Sequence, residues 1–330
     1  MTKMNNHLRR IAYACLFSIL IYLVVFSLIL KLPLTTGLTH KYYLKKLEYA
    51  AGLESPKVVL FAGSNGLFSY RCESMASILG LPCVNASLHA GLSIDVALMG
   101  LREYLKRGDI VLLPLEYDQY TQSRFRMIRN VETNNYIVTY QPKWLVRFSP
   151  ERMLRALFSF DVEYFSSAVT EMVLSGAGVE RRYNMNTLTA NGDMRGHTSE
   201  KGQEYHDFIS GLPQPVPDER FFTQHTFEGE REVAKFLSWA RKEGVTVIGM
   251  LPTIFDDKPV PPAVIDKLRR LFTDNSQRFL VTPGNAQYQR SCFYDTHYHL
   301  NEECQIRHSV SVAHQLQPLL KEILARETQT

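Results

Sequence analysis

A dense basic tract is missing from this 330-residue chain: 37 lysines and arginines stand against 33 aspartates and glutamates, for a net charge of +4. Without a concentrated positive face there is no electrostatic footprint for nucleic acid, and such a partner is not expected. Internal repeats and low-complexity stretches are also missing, so nothing points to a repeat array. Cysteine is scarce at five residues. What remains is ordinary for a globular protein: 45% hydrophobic and 21% charged residues, in a length sufficient for one large domain or two small ones.

One long apolar run breaks that ordinary pattern. Ile11 to Leu30, IAYACLFSILIYLVVFSLIL, is interrupted only by Ser18 and Ser27. Twenty helical residues span about 30 Å, the thickness of a bilayer core. A helix on a soluble core would carry a polar stripe, and this one has none. A cleaved signal peptide would have a shorter apolar region and a small-x-small site, whereas KLPLTTGL follows. Cys15 precedes the centre of the run and is wrongly placed for lipid attachment. The expectation is a signal anchor over 11–31, behind a cytoplasmic tail of residues 1–10. Lys3, Arg9 and Arg10 favour that orientation, but Lys31, Lys41, Lys45 and Lys46 nearly cancel the bias.

Beyond the span, Pro33 and Gly37 mark a tether over 32–50 whose HKYYLKKLEYA reads as a short amphipathic helix at the membrane surface. Strands and helices then alternate. Lys57 to Ala62 is a buried-type strand, Glu73 to Leu79 a helix, and LPCVN at 81–85 a strand. Ser93 caps a helix with Ile94, Ala97, Leu98, Leu101 and Leu105 at helical spacing, and Gly108 precedes the strand DIVLLPLE. Residues 120–225 read as an insertion of helices and loops. Order resumes with a helix over 228–242, the strand GVTVIGMLP, a helix over 263–272, the strand RFLVTP and a closing helix over 302–325. This alternation predicts an α/β fold over 51–330: a mostly parallel, flavodoxin-like sheet with helices on both faces, in three α/β/α layers. Ligands bind such sheets beyond the carboxyl ends of the strands. Ser64, Glu116, Thr253 and the loop after Val281 all fall there.

That last loop reads SCFYDTHYHLNEEC and holds Asp295, His297 and His299 within five residues. A serine hydroxyl is a weak nucleophile near neutral pH. It needs a base within reach and a third group to orient that base. Histidine titrates in the useful range, and a carboxylate on its second nitrogen sets the tautomer. Alone, the FAGSNGLFS of residues 61–69 fits a strand-to-helix turn as well as a nucleophile; the downstream loop favours the nucleophile.

On these residues the chain resembles the SGNH (GDSL-type) hydrolases and acyltransferases, over about residues 57–118 and 244–325. The strand and GSN of residues 58–65 look like the nucleophile block, NASLHAG (85–91) like the oxyanion-glycine block, and FYDTHYHLN like the block carrying acid and base. The resemblance implies Ser64 as nucleophile, His299 as base, Asp295 as orienting acid, and the amides of Ser64 and Gly91 as oxyanion donors. Asn65, Glu116, Thr253 and His297 are candidate cleft residues, although Glu116 and Asp118 also fit a solvated strand end. Three features depart from the family. Ala62-Gly63-Ser64 replaces Gly-Asp-Ser, LPLEYDQY brings no oxyanion asparagine, and acid and base are spaced Asp-x-x-x-His. Losing one oxyanion donor costs roughly 10²–10³-fold in rate. The anchor fits the membrane-bound branch that resembles alginate and teichoic-acid modification proteins.

The implied function is a serine acyl esterase or O-acyltransferase without cofactor, single-pass in the inner or cytoplasmic membrane, with its catalytic domain periplasmic. Its partner is a glycan, as acyl acceptor or acylated substrate. If acetyl-CoA is the acyl source, an integral-membrane acyltransferase is implied as well. The rival is a degenerate module that binds glycan or scaffolds an envelope assembly. The cysteines outside the span, Cys72, Cys83, Cys292 and Cys304, allow three pairings. Cys292–Cys304 would staple the loop bearing Asp295 and His299, leaving Cys72–Cys83. The alternative is zinc on Cys292, His297, His299 and Cys304, at a spacing that matches no familiar zinc module and needs a reducing compartment.

Overall fold

The computed structural model describes residues 2–30, 35–159, 162–177 and 183–327. The chain divides into two compact units, Met1–Leu38 with Val131–Arg182, and Thr39–Asn130 with Tyr183–Thr330.

In the smaller unit the apolar run lies within one helix, Thr2–Leu30, that starts nine residues before Ile11. Its stretch Asn6–Val25 has a mean hydropathy of 1.9, none of it buried, and is long and apolar enough to cross a membrane. The Tyr22 hydroxyl donates to the Leu157 carbonyl at 3.3 Å, and its ring lies 5.9 Å from that of Phe158. Helices Val131–Tyr140, Pro150–Leu157 and Val162–Gly176 and the short 3-10 helix Pro142–Arg147 also belong to this unit. Pro150 opens its helix at the one position where a missing N–H costs nothing, and Ser149 caps it by accepting the Arg152 N–H. The helical character expected over 120–225 is present among the described residues, but that region divides between the units: 131–182 belongs to the smaller, 120–130 and 183–225 to the larger.

The expected tether takes a different form. The break at Pro33 lies outside the described residues, and Gly37 sits inside a helix, Thr35–Ala51. From Thr39 onward this helix belongs to the larger unit, where Tyr42, Tyr43, Lys46 and Ala50 are buried. Those positions recur at helical spacing, so one face is a packing stripe and not a membrane-facing surface.

Among the described residues of the larger unit there are seven strands: β1 Val58–Leu60, β2 Cys83–Asn85, β3 Ile110–Leu113, β4 Thr246–Met250, β5 Ile254–Phe255, β6 Arg278–Leu280 and β7 Gln287–Tyr288. Five form a parallel sheet in the order β2-β1-β3-β4-β6, and β5 pairs with β7 in a separate parallel ladder. The central strands β1 and β3 are apolar and buried throughout, as strands covered on both faces are, whereas β2, β4 and β6 include Asn85, Thr246 and Arg278. Val58, Leu60, Ile110, Leu112, Ile248 and Met250 pack with Met75 of helix Cys72–Leu79 and with Val312, Leu316 and Leu320 of helix Glu302–Glu327. Gly249 has the opposite parity on β4. A Cβ there would lie 2.6 Å from the Phe272 ring, so glycine lets helix Pro262–Thr273 close on that side. At the amino edge of the sheet, Lys57 and Asp109 form a fully buried ion pair at 2.5 Å. Asp109 also accepts from the Lys106 amide and the Ser55 hydroxyl.

Candidate active site

Parallel pairing brings distant residues to the carboxyl edge of the sheet. The Phe61 amide donates to the Leu112 carbonyl and the Leu88 amide to the Ala62 carbonyl, extending the ladders past the strand ends. Ser64 then begins the helix Ser64–Ser69, and it is half-buried. Gly63 has a negative φ of −70°, so no left-handed conformation demands glycine there. The demand is for space. A Cβ on Gly63 would fall 2.6 Å from Glu116 Oε1 and 2.7 Å from Ala90 Cβ. Glu116, from the end of β3, and Ala90-Gly91, from the loop after β2, therefore flank the serine turn.

Asp295 and His299 sit on the loop after the last sheet strand. An antiparallel bridge between Phe293 and Leu300 closes it, and the Tyr294 amide donates to the His299 carbonyl at 2.8 Å. This tight closure lets residues four apart meet: His299 Nδ1 lies 2.6 Å from Asp295 Oδ1, both residues nearly buried. The hydroxyl of Tyr183 donates to the other carboxylate oxygen, Oδ2. Phe68 stacks on the His299 ring at 4.1 Å between centroids. Phe68 is four residues beyond Ser64, one turn along the same helix, so one element carries both the serine and the platform for the histidine. Behind Phe68 lies His197, edge-on at 5.1 Å and buried, its two ring nitrogens without a hydrogen bond among the described residues. Burial pushes its pKa down to about 4.

Ser64 does not hydrogen-bond to His299. Its Oγ donates to Glu116 Oε1 at 3.3 Å, and the same oxygen accepts the Asn65 amide at 2.9 Å. His299 Nε2 has no hydrogen bond among the described residues. With Nδ1 held by a carboxylate, Nε2 carries the lone pair and is the basic position. Glu116 is not a solvated strand end: it is 5% exposed, and loss of solvation raises its pKa above the usual carboxylate range. The Asn65 N–H and the neighbouring His299 partly oppose that rise. Asp118, by contrast, is exposed.

Two candidate cleft residues lie in the interior. Asn65 and Thr253 are fully buried. Asn65 donates through Nδ2 to the Pro114 carbonyl, and its Oδ1 accepts from both the amide and the hydroxyl of Thr253. These bonds lock the serine turn to the ends of β3 and β4 and leave neither side chain for a ligand. His297 is half-buried, its ring against Tyr298 at 4.6 Å, and burial lowers its pKa.

Both cysteine pairs stand at disulfide distance, Cys72 with Cys83 and Cys292 with Cys304. The second spans the Asp295–His299 loop. Sulfurs bonded to one another are not thiolate ligands, which removes the zinc arrangement. Among the described residues no three His, Cys, Asp or Glu side chains converge as a metal site. Tyr183, Phe68 and His197 carry no spacing signal that would have tied them to the site; Phe68 alone lies within a motif singled out from sequence.

Chemically the edge offers a carboxylate-held imidazole whose Nε2 has no hydrogen bond among the described residues, a half-buried serine at a helix start, and a buried carboxyl beside that serine. No protein-family model matches the chain, and no curated protein matches it in sequence.

Proposed function

We propose that the protein is a membrane-anchored serine acyl esterase or O-acyltransferase acting on an extracytoplasmic glycan, with an SGNH-like three-layer α/β/α domain. The observation that carries this reading is the Asp295–His299 hydrogen bond of 2.6 Å, on the loop that follows the last strand of a parallel sheet with Ser64 at its carboxyl edge. The strand order agrees with the flavodoxin-like order that doubly wound sheets adopt.

In the proposed cycle the Ser64 hydroxyl turns from Glu116 to His299. Its proton passes to Nε2 while Oγ bonds to the acyl carbon, and the carbonyl π pair moves to oxygen. Asp295 stabilises the imidazolium through Nδ1–H. The oxyanion pair then re-forms the carbonyl, the ester C–O bond breaks, and His299 returns its proton to the leaving oxygen. Water or a sugar hydroxyl reverses these steps and frees Ser64. The amides of Ser64 and Gly91 serve the oxyanion; Ala90, next to Gly91, already borders the serine turn. A glycan outside the cytoplasm suits the anchor, and disulfides persist in that compartment. An acyl group drawn from acetyl-CoA would reach the site through an integral-membrane acyltransferase partner.

A serine-directed phosphonate tests this reading. It should label the wild-type protein on Ser64 and leave Ser64→Ala unlabelled, and turnover of a small acetyl ester should vanish in Ser64→Ala and His299→Ala. One observation favours a second reading, a non-catalytic glycan-binding or scaffolding module: the Ser64 hydroxyl bonds to Glu116 and not to His299. A folded wild type that neither turned over esters nor took the label would support that module.

A further inference from the structure

The carboxyl ends of β2, β1 and β3 deliver Ala90-Gly91, Ser64 and Glu116 side by side. Glu116 thus occupies the strand end where the resemblance would require an asparagine donor. Its environment does not suit a charged group. Glu116 is 5% exposed, and among the described residues no lysine or arginine pairs with it. Asp118 on its own helix, His299 from the 293–300 loop and the buried hydroxyl of Tyr298 are the titratable groups that face it. A carboxylate at this place would repel a developing oxyanion and would hold the Ser64 proton away from His299.

We propose that Glu116 is a catalytic residue that works as a neutral carboxylic acid: Oε1 is fixed by the Asn65 N–H, and Oε2–H donates a hydrogen bond to the oxyanion formed on the substrate carbonyl. This role presupposes the Ser64 nucleophile proposed above. The proton is shared, not transferred, so the acylation and deacylation steps are unchanged in balance. Environment divides the two carboxyls of the site. Asp295 is hydrogen-bonded to the imidazole and to the Tyr183 hydroxyl, partners that favour the charged form. Glu116 is desolvated, which raises its pKa and favours the acid.

Glutamine reproduces the acid's pattern, an oxygen for the Asn65 N–H and a donor beside it, but has no proton to lose. Glu116→Ala should lower kcat for an acetyl ester on the order of 10²–10³-fold. Glu116→Gln should recover at least about tenfold over alanine, since its carboxamide replaces the donor. Wild-type kcat should fall as pH rises through the Glu116 pKa, and Glu116→Gln should lack that fall. Independently of turnover, the infrared spectrum at neutral pH should contain a protonated-carboxyl stretch that disappears in Glu116→Gln. Turnover that survives Ser64→Ala sinks the triad. Turnover lost in Ser64→Ala, with Glu116→Gln as inactive as Glu116→Ala at every pH, sinks the role of Glu116 alone, as does full activity in Glu116→Ala. An infrared spectrum without a Glu116-dependent acid band at neutral pH also overturns it.

Discussion

Asp295 carries two partners, the His299 imidazole on Oδ1 and the Tyr183 hydroxyl on Oδ2. Their weights differ. Asp295→Asn permits the wrong imidazole tautomer and should lower kcat on the order of 10³–10⁴-fold. Tyr183→Phe removes one neutral-to-charged hydrogen bond and should cost about 1–2 kcal/mol, roughly 5–30-fold. His297→Ala should cost less than either, since the His297 ring packs against Tyr298 and Phe255. Steady-state kinetics on the three folded variants would rank them; a His297 variant as damaged as Asp295→Asn would place the base at the wrong histidine. His197 gives a stability prediction. Its folded pKa is about 4 against 6.5 for a free histidine. The folded state therefore binds fewer protons, and stability present above pH about 6.5 is lost as pH falls toward 4. His197→Phe should flatten the dependence of Tm on pH in that window. An unchanged slope would mean that another group controls it.

The 292–304 loop shows how an element holds chemistry. Its ends are joined by the Cys292–Cys304 pair, by the Asn301 amide on the Cys292 carbonyl at 2.7 Å, and by the Phe293–Leu300 bridge. Closing a loop of about a dozen residues is worth roughly 3 kcal/mol in the chain-entropy model. Because backbone bonds also close this loop, Cys292→Ala with Cys304→Ala should leave the fold intact in mild conditions while lowering ester turnover and Tm together. Non-reducing peptide mapping that found all four cysteines free would remove the premise. At the opposite edge of the sheet, β1 and β3 are pinned by Lys57 and Asp109. Removing one partner leaves a buried, uncompensated charge, so Lys57→Met should cost about 3–5 kcal/mol in denaturant unfolding. Lys57→Met with Asp109→Leu should recover much of that loss. A fully additive double variant would show that the two residues do not act as a pair.

The molecule combines a helix long and apolar enough to cross a membrane with a larger unit that holds both disulfide pairs. Disulfides persist where glutathione does not reduce them, which favours placing that unit outside the cytoplasm. The charges flanking the span do not set the orientation, so a direct measurement must. A reporter active only after export, fused after Thr330, should be active. A cytoplasmic signal would remove the glycan substrate and the oxidising compartment together.

Much of this was legible from local pattern. The apolar run, the all-apolar strands β1 and β3 and the helical spacing of Ile94, Ala97, Leu98 and Leu101 are short-range signals, because helix and strand periods repeat within a few residues. So the parallel sheet, the membrane-length helix and the meeting of Asp295 with His299 on one loop could be anticipated. Burial of a polar side chain follows no such period, since its partners come from remote parts of the chain. Nothing local distinguishes Glu116, which lies buried against Ser64, from exposed Asp118 two residues on. Tyr183 reaches Asp295 across 112 residues. Asn65 and Thr253 looked available as ligand contacts, yet they bond to each other across 188 residues. Residues 32–50 read as a tether because their polar side chains are visible in sequence, whereas the cavity that takes Tyr42, Tyr43 and Lys46 exists only once the larger unit has packed around them.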